Sequence, residues 1–256
     1  NRNASGGTIQ NTTGDAVSLT NATGVVLRQM SIINAGDEGI EATGGGTFTF
    51  SAIQVQNPGG DGILGTNISG VNRLDHGSLI TSINAVNARG LAVENLDTNL
   101  TSFTVDNSTF SNSTTAAAAL FFRSRGSSTM TLNVQNASVF TGLFSTAVQS
   151  VAGDVAGSTG TLTTNIQNSS FTNAAASGTG KLFLTSSASA THNFTISGNT
   201  LSGIGKAGGA QTGVVQLTLA GTTSGASLSG SVNNNDIFNI DPTNSLSPRG
   251  AIAVIA

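Results

Sequence analysis

Cysteine, tryptophan and tyrosine are missing from this 256-residue sequence, and there are only three prolines and two histidines. Without cysteine there is no disulfide scaffold and no thiol chemistry. Two histidines far apart in the chain do not make a zinc ligand set. Charge is scarce too: Asp, Glu, Lys and Arg make up 8% of residues, against about 25% in an average globular domain. The nine basic residues are scattered and the net charge is −3, so no basic patch points to nucleic acid. The longest apolar run, Ala116 to Phe122, falls far short of the ~20 residues of a membrane span, and no leader segment is visible. Gly44-Gly-Gly46 and Gly208-Gly209 lack the following Lys that a phosphate-binding loop needs.

Gly, Ser, Thr, Asn and Ala dominate what is present, and the 37% of apolar residues are placed periodically. Between Ser102 and Leu201 one phrase returns: Phe103-Thr-Val-Asp-Asn107-Ser-Thr-Phe110, Leu132-Asn-Val-Gln-Asn136-Ala-Ser-Val139, Thr164-Asn-Ile-Gln-Asn168-Ser-Ser-Phe171, and a looser Phe194-Thr-Ile-Ser-Gly-Asn199-Thr-Leu201. Its Asn recurs at intervals of 29, 32 and 31 residues. Apolar–polar alternation is a strand with one buried face. A strand returning about every 30 residues, with no helical periodicity between copies, predicts a solenoid of β-coils. A second phrase, a small residue followed by a short apolar stretch, recurs at Gly39, Gly62, Gly90, Gly213 and Gly250. We therefore expect an all-β fold, a single parallel β-helix of about nine coils, each with at least two strands. The first coil covers about Gly7 to Gly24 and the last runs from Ala226 onward. Residues 1–256 read as one domain. The sequence opens without Met and closes inside the pattern on Ala251-Ile-Ala-Val-Ile-Ala256, so a segment of a longer chain is expected.

The recurring Asn has a mechanism: its side chain bonds to backbone and to a stacked copy in a sharp turn, and Asn tolerates the left-handed conformation. Asn107, Asn136, Asn168 and Asn199 are expected to form such a structural ladder. The two phrases, the Asn ladder and the Gly/Ser/Thr/Asn-rich turns resemble the right-handed parallel β-helices of bacterial surface proteins, autotransporter passengers and repetitive adhesins above all. The pectate-lyase-like enzymes share that fold. The resemblance implies right-handed winding and an extracellular or cell-surface location, and it speaks to fold more than to function.

Aligning the second phrase places Asp15, Glu38, Asp61 and Arg89 just before its small residue, at spacings of 23, 23 and 28. They are expected to stack on successive coils about 5 Å apart. Paired carboxylates at such distances are what glycoside hydrolysis requires. Asp15, Glu38 and Asp61 also offer oxygen ligands for Ca²⁺, and Arg89 is the basic residue a lyase would use. The plainer reading, preferred here, is polar residues beside a turn. Leu74-Asp75-His76-Gly77-Ser78 faintly resembles the His-Gly element of polygalacturonases, whose other elements are missing. His192, in Thr191-His-Asn193, is expected to be exposed. Ten N-x-S/T sequons, among them Asn11, Asn21 and Asn193, are what an Asn/Ser/Thr-rich composition produces by chance.

The expected function is non-enzymatic: an extracellular structural or adhesive β-helix module, serving as stalk, adhesin or filament subunit. No cofactor is required. The expected partners are further copies of the same chain, end to end or laterally, and host or environmental glycans, with no nucleic acid and no membrane span. The alternative is a lyase or glycoside hydrolase acting on acidic polysaccharide through Asp15, Glu38, Asp61 and Arg89. A phage tail-spike-like shaft is a third, weaker reading.

Overall fold

A computed structural model describes residues 6–111, 113, 118–142, 144–172, 182–204, 214–220, 225–240 and 252–255. Among these there is no helix. Gly7–Gln10, Val17–Thr20 and Val26–Arg28 are the first three strands, and every third strand thereafter returns to the same sheet. Three sheets result, of nine, nine and eight strands, and the named strand pairs are all parallel. They are called here the first, second and third faces, in the order in which the chain visits them. The fold is a single parallel β-helix. Each turn carries three strands, because the first phrase of the sequence bends round a corner: Leu100–Asp106 lies on the third face and Thr109–Ser111 on the first.

The core is built from side chains in register. On the first face Ile9, Ile32, Val55, Ile80, Phe110, Phe140, Phe171, Leu201 and Ile237 occupy equivalent positions on successive strands. Phe110, Phe140 and Phe171 stack with centroids 5.1 and 4.7 Å apart and interplanar angles of 7°. The strand spacing of about 4.8 Å imposes that distance, and offset stacking of aromatic rings makes it favourable. A period-two strand sends these residues inward and their neighbours outward.

Corners need a left-handed residue, and Asn supplies it most often among the described positions outside glycine. Asn11, Asn34 and Asn57, with φ of 55°, 54° and 52°, turn the chain from the first face to the second. Their side chains form a ladder, the Asn34 amide donating to Asn11 (3.0 Å) and the Asn57 amide to Asn34 (2.9 Å). The small residue of the second phrase has a different cause. A Cβ on Gly62 would drive into the Gly90 carbonyl oxygen and the Ile80 side chain.

Candidate functional site: a charged column on the second face

Register places the predicted row. Val17, Ile40, Ile63 and Leu91 are aligned partners on successive strands. Asp15, Glu38, Asp61 and Arg89 stand two residues before each, on the approach to the second face. Backbone bonds tie them from coil to coil: Ala16 N–H to Glu38 O (3.1 Å), Gly39 N–H to Asp61 O (3.0 Å) and Gly62 N–H to Arg89 O (2.8 Å). The four sequence-predicted residues thus form one stacked column.

The column divides into two parts. At its start, the Glu38 N–H donates to Asp15 Oδ1 at 3.2 Å. Asp37 joins them, and carboxylate oxygens of Asp15, Asp37 and Glu38 lie within 4.8 Å of one another. Partial burial, together with hydrogen bonds to Asp37 and Asp15 and the charge of Asp37, pushes the Glu38 carboxyl up to about 7. Glu41, pointing outward from Ile40–Thr43, is raised as well, by burial and by Asp15. These are the residues that could hold a cation. A hard, oxygen-preferring ion such as Ca²⁺ suits three clustered carboxylates.

Further along, acid meets arginine. Asp61 is 4% exposed. It accepts from the Arg89 backbone N–H (2.7 Å) and from the guanidinium Nε (3.1 Å) and Nη2 (2.8 Å). Burial still leaves the Asp61 carboxyl above its ordinary value, with Arg89 pulling the other way. Arg89 Nη1 donates to Glu94 at 2.6 Å, and Glu94 is also gripped by Arg123 of the next coil, its aligned partner. Burial opposes the ionised form of Glu94, but Arg123 and Arg89 outweigh it and hold the carboxyl below the usual range. Arg123 reaches on to Asp154 (3.0 Å), which Arg125 also binds (2.9 Å). Both arginines flank the Phe121 ring, with Arg89 at 4.8 Å and Arg123 at 5.3 Å from its centroid. Phe121 points outward from the sheet, yet it is 8% exposed because Ala92, Ala118 and Val151 pack around it.

Asp61, proposed alongside Asp15 and Glu38 as a cation ligand, is therefore turned toward Arg89, while Asp37 takes the third place in the acidic cluster. Asp37, Glu41, Glu94, Arg123, Asp154 and Arg125 were not singled out from the sequence. Glu94 and Arg123 are 29 residues apart, the same interval as Asn107 to Asn136, so the repeat length alone could have paired them.

The predicted Asn residues lie at the corner from the third face to the first. Asn107, Asn136 and Asn168 have φ of 45°, 54° and 48° and exposed side chains. Asn199 stands one position further round, since Gly198 takes the left-handed place with φ of 65°. The Asn199 side chain is buried and accepts from the Ser169 N–H at 3.0 Å, and its own amide donates to Asn235 at 2.9 Å.

The two histidines part company. His76 is exposed at the same corner, with Nδ1 2.6 Å from the buried Asp75, which Arg73 also holds (2.8 Å). His192, expected at the surface, is fully buried. It shares inward phase with Phe194 and Ile196 along Thr191–Ser197. There Nδ1 bonds the Thr185 carbonyl (2.9 Å), and Nε2 faces the hydroxyls of Thr164 (3.0 Å) and Ser150 (3.3 Å). Burial drives its pKa down to about 4, so the ring is neutral at pH 7.

No protein-family model, no curated protein and no solved structure matches the chain.

Proposed function

We propose that this chain is a non-enzymatic structural and adhesive module of an extracellular, bacterial-surface β-helix: a stalk, adhesin segment or filament subunit. The observation that supports it is the fate of the charged column. From Asp61 onward each of its carboxylates is engaged by an arginine of an adjacent coil. A general base must be free to reach substrate, whereas Asp61, Arg89, Glu94, Arg123 and Asp154 are committed to one another. Charge here clamps coil to coil. The reading includes self-association, end to end or laterally, because a strand at the end of any such stack presents unpaired backbone. Electron microscopy of the purified protein at low and high concentration tests it. Short rods that join or bundle as concentration rises are expected; a compact particle at every concentration would overturn it.

One observation favours an enzyme instead. The Glu38 carboxyl is pushed up to about 7 beside Asp15 and Asp37, and a carboxyl so tuned next to a second one can serve acid–base cleavage of a glycosidic bond. The same cluster would take Ca²⁺. Product release from an acidic polysaccharide such as pectin, dependent on calcium and abolished by Glu38→Gln in a protein that still forms rods, would establish that alternative. No release with or without calcium would end it.

A further inference from the structure

The third face carries a surface that neither the charged column nor the corners use. Thr129–Gln135 and Thr161–Gln167 pair in register, Thr131 with Thr163 and Asn133 with Asn165. Their outward side chains read Thr, Thr, Asn, Gln on both strands, while alternate residues such as Met130, Leu132 and Leu162 are buried in the core. Thr191–Ser197 and Ser227–Asn233 continue the register with outward Thr, Asn, Thr, Ser and Ser, Ser, Ser, Asn. Four strands thus present four outward side chains each, none buried, none charged and none apolar. Toward the start of the chain the same face is different: Arg73, Asp75 and Asp106 lie there, bound to one another. The neutral grid begins where those charges stop.

The grid is a two-dimensional lattice, with about 4.8 Å between strands and about 6.7 Å between alternate residues of one strand. It is partly fixed by its own bonds, the Asn165 amide donating to the Asn133 carbonyl oxygen at 2.9 Å. Every hydroxyl and amide in it both donates and accepts. Such a surface complements a partner whose groups also do both and which carries no charge. A second copy of the chain is the weaker fit. At those spacings the grid covers about 300–500 Å², so a homotypic contact would bury roughly 600–1,000 Å² in total, below the ~1,200 Å² where stable specific interfaces begin. It would also lack the apolar centre such interfaces have. A polyhydroxylated chain needs no larger footprint, and its weak bonds add along its length. The geometry points to a binding site for neutral polysaccharide on this grid. The inference rests on the adhesive reading above and gives it a ligand class.

Affinity electrophoresis tests it. The whole chain is run in native gels containing soluble starch, a galactomannan or a mixed-linkage β-glucan, with polygalacturonate as the acidic counterpart. Retardation by at least one neutral polymer is expected. Thr163→Lys combined with Asn165→Lys should raise the polymer concentration needed for half-retardation at least tenfold. Ser18→Lys, exposed on the second face, should leave it unchanged. Both variants are compared with their own mobility in polymer-free gels and checked for unchanged circular dichroism. Retardation by polygalacturonate alone, no retardation by any polymer, or full retention in the double variant would each overturn the inference. So would concentration-dependent dimers that the double variant abolishes, which would assign the grid to a second copy. Rods seen by microscopy without retardation would sink the grid and leave the structural reading standing; compact particles would sink the structural reading itself.

Discussion

Along the second face one column of stacked side chains behaves in two ways. Before Val17–Thr20 and Ile40–Thr43, acid lies on acid, and Glu38 keeps a proton up to about 7. Before Ile63–Thr66 and at the start of Arg89–Leu96, acid lies on arginine, and the chain of pairs runs from Asp61 to Asp154. The backbone geometry is the same in both parts. Stacking about 4.8 Å apart makes every charge a near neighbour of the next, so the sign of one residue decides whether a coil is clamped or left repelling its neighbour.

Arg89→Met attacks that difference most strongly. It leaves Asp61 buried without its partner, and a loss of about 3 kcal/mol at pH 7 is expected in urea unfolding. The loss should be smaller in mildly acidic buffer, because the Asp61 carboxyl, already raised beside Arg89, takes up a proton more readily once that partner is gone. An equal loss at both pH values would show that packing against Phe121, not charge, is what Arg89 supplies.

Acid unfolding then separates the two parts, once the core is accounted for. His192 falls from 6.5 to about 4 on folding. Between those values the unfolded chain binds the proton first, so stability drops as pH falls through the window, by about 3 kcal/mol in all. His192→Gln should flatten that limb. The remaining loss on acidification comes from Glu94, Asp154 and Asp75, whose folded values are depressed; their contribution is present above the unfolded value and is lost as pH falls through the folded one.

Arg123→Gln should cost less than Arg89→Met, on the order of 1–2 kcal/mol, because its partners Glu94 and Asp154 are 18% and 28% exposed at the side chain and can recruit water. A larger loss than that of Arg89→Met would move the centre of the network. The smallest effect is expected at the acidic end and has the opposite sign. Glu38→Gln should stabilise the chain by a few tenths of a kcal/mol at pH 8 and leave it unchanged below pH 4.5, since the raised carboxyl is a burden only when ionised. Destabilisation at pH 8 would show that the cluster is held together by something the ionised carboxyl binds.

Much of this was readable from the chain. Repeat intervals of 23, 23 and 28 residues placed Asp15, Glu38, Asp61 and Arg89 in one column, because a parallel register preserves position from coil to coil. The parity of His192 with Phe194 and Ile196 was equally readable and marks it as inward; the polar neighbours Thr191 and Asn193 obscured it. The third strand of each turn was harder to see, although the inward phase shifts by one across Asn107, from Val105 to Ser108 and Phe110, which is the mark of the corner. Asn107 reads in sequence as a turn residue, and it is one, with φ of 45°; the short Thr109–Ser111 strand that follows it does not read as a separate strand.

By itself, then, the sequence determined the parallel β-helix, its apolar rows and the residues that share a column, because those follow from period and alternation. Only the tertiary structure decided which carboxylates are paired and which are crowded, that Asp37 replaces Asp61 in the acidic cluster, and that His192 is sealed and neutral. Those outcomes turn on where side chains lean, what buries them and which charge the neighbouring coil brings within about 3 Å. None of these is a property of one stretch of chain. They arise when residues 20 to 40 apart in sequence are laid one upon another.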